Sequence, residues 1–236
     1  MKHEQGSASR RGFIKAVGAS VAVASAPMIL RADDKAADKA PVIGEGAHKY
    51  EAIHGWAKVP ENIKLGNTHM VQEDAQGRIL IHHQGGSGES VCVFDADGKF
   101  IKAWGKRGDQ PGEFNLPHTI VIDSRGRVLV GDRSNNRIQI FDQDGTFIDQ
   151  WSEFGTPSGM YVTPDDTLYV VDYNVRKGVF VGSAKDGSVR YKLDDAVAEG
   201  VAVDKDGNIY VGETVPGTTL TGQPGGHIVR KLERVK

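Results

Sequence analysis

Four residues able to bind a metal or move a proton stand at regular intervals: His69, His118, Ser158 and Glu199, separated by 49, 40 and 41 positions. Imidazole nitrogen and carboxylate oxygen are ligands that zinc and related divalent metals accept, and two His with one Glu leave a coordination position open for water or substrate. Arg133 can hold a carboxylate, and Tyr173 and Asp172 are candidate proton acceptors. Each residue also has a quieter role. A His opening a strand can cap a turn by bonding to backbone, Glu199 before Gly200 can be a solvated turn residue, and Pro157-Ser158-Gly159 is a turn signal in its own right.

Groups this far apart act together only if the fold brings them to one place, and the chain repeats in the same register. From Asn67 to Val235 one pattern is written four times: an apolar run, a Gly or Asp turn, an alternating Ile/Val/Tyr run ending near an acid, a third strand, and a further turn. The second copy is the clearest, with strands predicted at 119–123, 127–132, 137–142 and 147–151. Two turn sites keep register. Asp97-Gly98, Asp144-Gly145 and Asp186-Gly187 fall between third and outer strands, and Gln76-Gly77, Arg125-Gly126 and Asp206-Gly207 between first and second. Two-residue hairpin loops require positive φ, which these dipeptides supply. A period near 40 residues with four short strands per copy predicts an all-β fold, a four-bladed β-propeller. A propeller gathers equivalent inner-strand positions around one axis, so the register itself predicts a site.

The fourth copy ends after its third strand, 228–232. Tyr50 to Trp56 resembles the outer strand 147–151, and Trp56, Trp104 and Trp151 share one repeat position. The expectation is that this N-terminal strand completes the last blade and closes the ring. A second ring of residues, His83, Asp132, Asp172 and Glu213, ends the second strands. These read mainly as turn-stiffening groups, with Arg137 pairing with Asp132 and only one of His82 and His83 facing inward.

Residues 1–32 contain Ser9-Arg10-Arg11-Gly12-Phe13-Ile14-Lys15 before a mild apolar stretch, which resembles a bacterial twin-arginine export signal. The stretch is short and rich in Ala and Gly for a membrane span. Residues 33–46 read as a flexible tether and 47–236 as the propeller, placed in the periplasm or outside the cell. Loss of residues 1–26 removes four cations and one anion, a net +3, and takes the formal charge from −2 to −5. Such a domain is a poor nucleic-acid binder. The single cysteine, Cys92, excludes an intramolecular disulfide and alternates with Val91 and Val93 as a core residue.

The segment 105–118, Gly-Lys-Arg-Gly-Asp-Gln-Pro-Gly-Glu-Phe-Asn-Leu-Pro-His, with Asp132-Arg133-Ser134-Asn135-Asn136-Arg137 after it, resembles the NHL-repeat propellers. Within that superfamily the chain is similar to the peptidyl-α-hydroxyglycine α-amidating lyases and their bacterial relatives. The resemblance implies zinc held by three histidines at inner-strand starts. Leu116-Pro117-His118 matches one such motif, His69 matches by register, and Glu199 stands where that group has His. It implies a channel-facing arginine, matched by Arg133, and a tyrosine after a second strand. Here Gly85, Ser134 and Asn174 hold that place, with Tyr173 one position away. Relatives usually have six blades where four are legible. The expected ligand is a small polar or peptide-derived substrate. The alternative is a non-catalytic scaffold of the cell envelope, presenting loops 105–114 and 214–226 to a ligand or envelope protein. A third option, a calcium-dependent lactonase-like hydrolase, lacks its usual acid and amide ligands in the inner ring.

Overall fold

Runs such as Val128-Leu129-Val130 and Val179-Phe180-Val181 are rich in β-branched and aromatic residues and fully or almost fully buried, the composition that packs on a pleated surface. They build a set of small antiparallel sheets. The structure, a computed structural model, describes residues 42–85, 88–194, 196, 198–213 and 229–235. The export motif and loop 214–226 lie outside these residues, and of Glu213 only the backbone is described.

The chain divides into two units, 1–54 and 55–236. In the first, β1 (Val42–Glu45) and β2 (His48–Glu51) form a hairpin with Tyr50 opposite Ile43. In the second, β3 (Val71–Glu73), β4 (Ile79–His83), β5 (Ser90–Phe94) and β6 (Phe100–Trp104) make the first blade. The second blade is β7 (Pro117–Ile122), β8 (Val128–Asp132), β9 (Arg137–Phe141) and β10 (Phe147–Trp151). The third is β11 (Pro157–Val162), β12 (Thr167–Asp172), β13 (Gly178–Ser183) and β14 (Val189–Leu193). The fourth holds β15 (Ala198–Val203), β16 (Ile209–Glu213) and β17 (Val229–Leu232). The fold is thus all-β, a four-bladed propeller.

Two expectations need correction at the N-terminal end. Val42–Glu45, read as part of a tether, is a strand. The segment from Tyr50, expected as the outer strand of the last blade, pairs through Tyr50 and Glu51 with β1, while the last sheet has three strands among the described residues. A hairpin closed by a two-residue turn costs little loop entropy.

The turns owe their shape to aspartates as much as to glycines. Asp74 Oδ1 accepts the amides of Gln76 and Arg78, both at 2.9 Å. Asp123 and Asp204 treat the residues two and four places on in the same way. The side chain four places on then closes onto Oδ2: Arg78 at 2.6 Å, Arg127 at 2.7 Å, Asn208 at 2.8 Å. Local side-chain acceptors of this kind satisfy turn amides that no ladder reaches.

Apolar clusters join the blades in chain order. One lies between the first and second blades, one between the second and third, and one between the third and fourth. The outward side of the first blade is covered by Trp56, Ala57, Val59, Ile63 and Leu65. Trp56 sits over the turn at Gly98, Trp104 over Gly145 and Trp151 over Gly187, so the shared register of the three tryptophans is a shared contact. A Cβ added at Gly145 would lie 2.6 Å from the Trp104 ring, and its φ is +85°. Gly145→Ala therefore both strains the turn and drives a methyl group into an indole. The expected outcome is a loss of about 2–4 kcal/mol in chemical denaturation, against less than about 1 kcal/mol for Gly112→Ala, where positive φ is the sole cost and nothing lies within 4 Å.

Candidate functional site

Each inner strand begins with one residue too many. Pro117 lies opposite Asp132 but Thr119 opposite Gly131. Pro157 and Gly159 face Asp172 and Val171 in the same way, and Ala198 and Gly200 face Glu213 and Gly212. The unpaired residues are His118, Ser158 and Glu199. In the first blade Asn67 bridges Gln84 and pairing resumes at Val71 and Ile81, again one extra residue, on the stretch that carries His69. A bulge bends its strand and re-aims a side chain.

The bulged residues meet. The His69 and His118 rings stack with centroids 4.1 Å apart. His118 Nδ1 lies 2.7 Å from the Ser158 carbonyl oxygen, and its Nε2 is 3.7 Å from Glu199 Oε2. Arg133 reaches both Glu199 oxygens at 3.4 Å and lies over the Tyr173 ring, 5.5 Å from its centroid. Gln84 Nε2 is 2.7 Å from His69 Nε2. Thr119, next to His118, accepts the Met160 amide at 3.1 Å and donates to Met70 Sδ at 3.2 Å, tying three inner strands together.

Gln84, Arg133 and Tyr173 each stand one place beyond a second strand, β4, β8 and β12. The cluster therefore combines two repeat registers, the bulge of the inner strand and the exit of the second. The sequence reading found Arg133 and Tyr173 but not Gln84, although register alone marks it. Ser158 contributes its carbonyl, in keeping with its reading as a structural residue.

Asp172, the other candidate proton acceptor, is bound into a turn. Fully buried, it accepts the amides of Thr156, Asn174, Val175 and Arg176 at 3.0, 2.8, 2.9 and 3.1 Å. Both oxygens serve the turn. Asp132 is held in the same manner, with Arg137 Nε at 2.8 Å, as expected. His82 and His83 divide in direction, as strand alternation demands. His82 packs 6.3 Å from His69, whereas His83 Nε2 lies 2.8 Å from Ser90 Oγ.

Proton positions follow from the partners. A carbonyl only accepts, so His118 Nδ1 carries hydrogen and Nε2 presents its lone pair when the ring is neutral. Burial lowers the His118 pKa below 6.5, keeping that neutral form near pH 7. His82 is pushed down to about 3, first by burial and then by the neighbouring His69, His118 and His83.

The donor types suit zinc, but their placement does not gather them. Tetrahedral zinc at about 2.1 Å needs lone pairs that converge, whereas these two imidazoles lie face to face, His69 Nε2 meets Gln84 and Glu199 meets Arg133. Among the described residues no group of three His, Cys, Asp or Glu is arranged to hold a metal ion.

His82 generates a test. Its folded pKa lies below the unfolded value, so the folded state binds fewer protons as the pH drops. Its stabilising effect is present above pH 6.5 and lost between 6.5 and about 3. Urea midpoints should fall across that window in the parent chain, and His82→Gln should flatten the slope. An unchanged slope would rule out His82 as the titrating group.

Comparison with known proteins places the repeat and the fold. The NHL-repeat family model matches residues 114–141. NHL repeat-containing protein 3 of Homo sapiens is 36% identical over 67 residues, 28% of this chain and 19% of that protein. The virginiamycin B lyase of Staphylococcus aureus superposes with a TM-score of 0.51 at 14% identity, over 71% of this chain and 55% of that one. A histidine-to-alanine form of that lyase, solved with quinupristin, is catalytically inactive. A gluconolactonase of Xanthomonas campestris gives a TM-score of 0.50 at 19% identity, over 68% of this chain and 61% of that one. These likenesses are of fold. The chain spans about a fifth of the human relative's length and under two thirds of either enzyme.

Proposed function

We propose that the axial cluster is a lyase-type acid–base site for a small polar substrate bearing a carboxylate, His118 being the base and Arg133 the carboxylate clamp. The observation that carries this reading is the His118 anchor: the Ser158 carbonyl orients the ring with Nε2 toward the Glu199–Arg133 pair. Arg133 presents a planar fork matched to a carboxylate, and Tyr173 supports it from one face. A substrate carboxylate would share or take the guanidinium from Glu199. Likeness in fold to a lyase whose histidine variant is inactive supports the class of reaction.

The substrate implied by resemblance is a peptidyl-α-hydroxyglycine. His118 Nε2 would accept the hydroxyl proton, the C–N bond would break as the carbonyl of glyoxylate forms, and the same proton would pass to the departing amide nitrogen. Proton transfer by a positioned imidazole contributes roughly 10²–10⁴-fold. Glyoxylate release from N-benzoyl-α-hydroxyglycine should therefore fall about 10²–10⁴-fold in His118→Ala. Arg133→Ala should act mainly on KM, and kcat/KM of the parent should decline below pH 6.5 as His118 protonates. No glyoxylate from the parent chain, with or without added zinc, would overturn the reading.

Zinc held by His69, His118 and Glu199 is a second reading, favoured by the same anchor, since a carbonyl on Nδ1 is the usual partner of a ligating imidazole. Bound there, the metal would polarise a substrate oxygen. It requires Glu199 to leave Arg133 and Gln84 to leave His69. Stoichiometric zinc in the purified protein, lost on His118→Ala with Glu199→Ala, is the expected result under this reading; metal-free protein with full glyoxylate release removes it. Export rests on Ser9 to Lys15, and a reporter fused after residue 32 would test it.

A further inference from the structure

Leu116, two residues ahead of His118, holds φ at +58°, in the left-handed region that a branched side chain disfavours. Pro117 follows it, and the residue before a proline prefers extended backbone. Two steric preferences are therefore overridden at the entry to β7. Strain of this kind persists only where the surroundings enforce it, and it gathers at functional sites.

The second blade holds one side of the segment. The Asn115 carbonyl accepts the Ser134 amide at 3.0 Å, the Leu116 carbonyl accepts the Arg133 amide at 3.3 Å, and the Asn115 amide donates to Asp132 Oδ1 at 2.7 Å. The first blade holds the other side through a single side chain. Glu89, just ahead of β5 and only 6% exposed, accepts the Leu116 amide on Oε2 at 2.5 Å. A carboxylate is costly to bury unless it meets a donor, and burial pushes the Glu89 pKa up while the Leu116 amide and then Arg107 pull it back. A charged acceptor binds an amide more strongly than a neutral one does.

Leu116 stands between the proposed base and the proposed clamp. Its carbonyl meets the backbone of Arg133, and the chain leaving it carries His118 into the bulge, where Nδ1 finds the Ser158 carbonyl. Rotation of Leu116 to negative φ would swing its amide away from Glu89 and change the angle at which Pro117 and His118 enter the strand.

We propose that Glu89 is a positioning residue for the axial cluster: its grip on the Leu116 amide keeps that residue left-handed and so aims the His118 ring at the Glu199–Arg133 pair. Glu89 acts through Leu116 and touches no reacting atom. The kinetic consequence rests on the acid–base reading above, whereas the effect on the His118 ring does not.

Glycine adopts positive φ without steric cost, so Leu116→Gly removes the need for Glu89. Glu89→Ala should lower kcat for glyoxylate release about 10–100-fold with KM little changed, and the same change made in Leu116→Gly should cost less than about threefold. Glu89→Gln, which keeps an acceptor oxygen, should stay within about fivefold of the parent. An equal loss in both backgrounds marks general damage to the fold and overturns the proposal. Nitrogen NMR of the imidazoles, at a pH where the rings are neutral, reads the same device without turnover. The Nδ1–H tautomer of His118 should dominate in the parent and in Glu89→Gln, give way to a mixture in Glu89→Ala, and return when Leu116→Gly is added. Unmoved His118 signals in Glu89→Ala overturn the proposal whether or not the chain releases glyoxylate; a tautomer shift in a chain that releases none supports it and sinks the acid–base reading alone. The parent chain supplies a check that needs no variant to fold: its Leu116 amide should exchange slowly with solvent, and rapid exchange there overturns the proposal.

Discussion

One surplus residue at the start of each inner strand is the constraint on which the candidate site depends. Without the bulge, His118 would pair in the ladder like Thr119 and point into the sheet's own packing. With it, the strand bends and the side chain turns toward its counterparts in the neighbouring blades. Close packing keeps the bulges together. A Cβ at Gly159 would lie 2.4 Å from the Glu199 carbonyl oxygen, and one at Gly131 2.4 Å from Thr119 Cγ2. Inner strands of neighbouring blades, and first and second strands within a blade, thus approach at places where larger residues would force them apart.

The cluster gathered there is polar and only partly shielded. The His118, Glu199 and Arg133 side chains are 11, 23 and 15% exposed, enough burial to strengthen their mutual interactions while leaving a path for a small ligand. Arg133 is the hub, joining an acid from the fourth blade to an aromatic ring from the third. The buried aspartates have a different task. Asp123, Asp132 and Asp172 give their oxygens to backbone amides and arginines, stiffening the frame that holds the cluster. Residue type alone does not separate the two kinds of acid, and hydrogen-bond partners do.

The blades were legible because their signals are local. Alternating apolar runs and paired turn sites mark strands wherever they occur, and the regular interval between copies stacks those strands into sheets. Strand bounds in the second copy agree closely with β8, β9 and β10. The tryptophan register was legible too, since one contact repeated three times leaves one residue type repeated three times. The tether and the closing strand were not. Val42–Glu45 lacks a strong strand signal, and likeness between Tyr50–Trp56 and an outer strand says nothing of the hairpin that Tyr50 and Glu51 form with it.

By itself the sequence determined the repeat, the blade, and the register in which His69, His118 and Glu199 recur, because periodicity is a property of the chain. Only the tertiary structure decided what those residues do to one another. It stacked the two imidazoles, gave Glu199 to Arg133, brought in Gln84 and withdrew Asp172 into a turn. Side-chain direction at a bulge and the choice of hydrogen-bond partner depend on neighbours tens of residues away, and no local pattern records them.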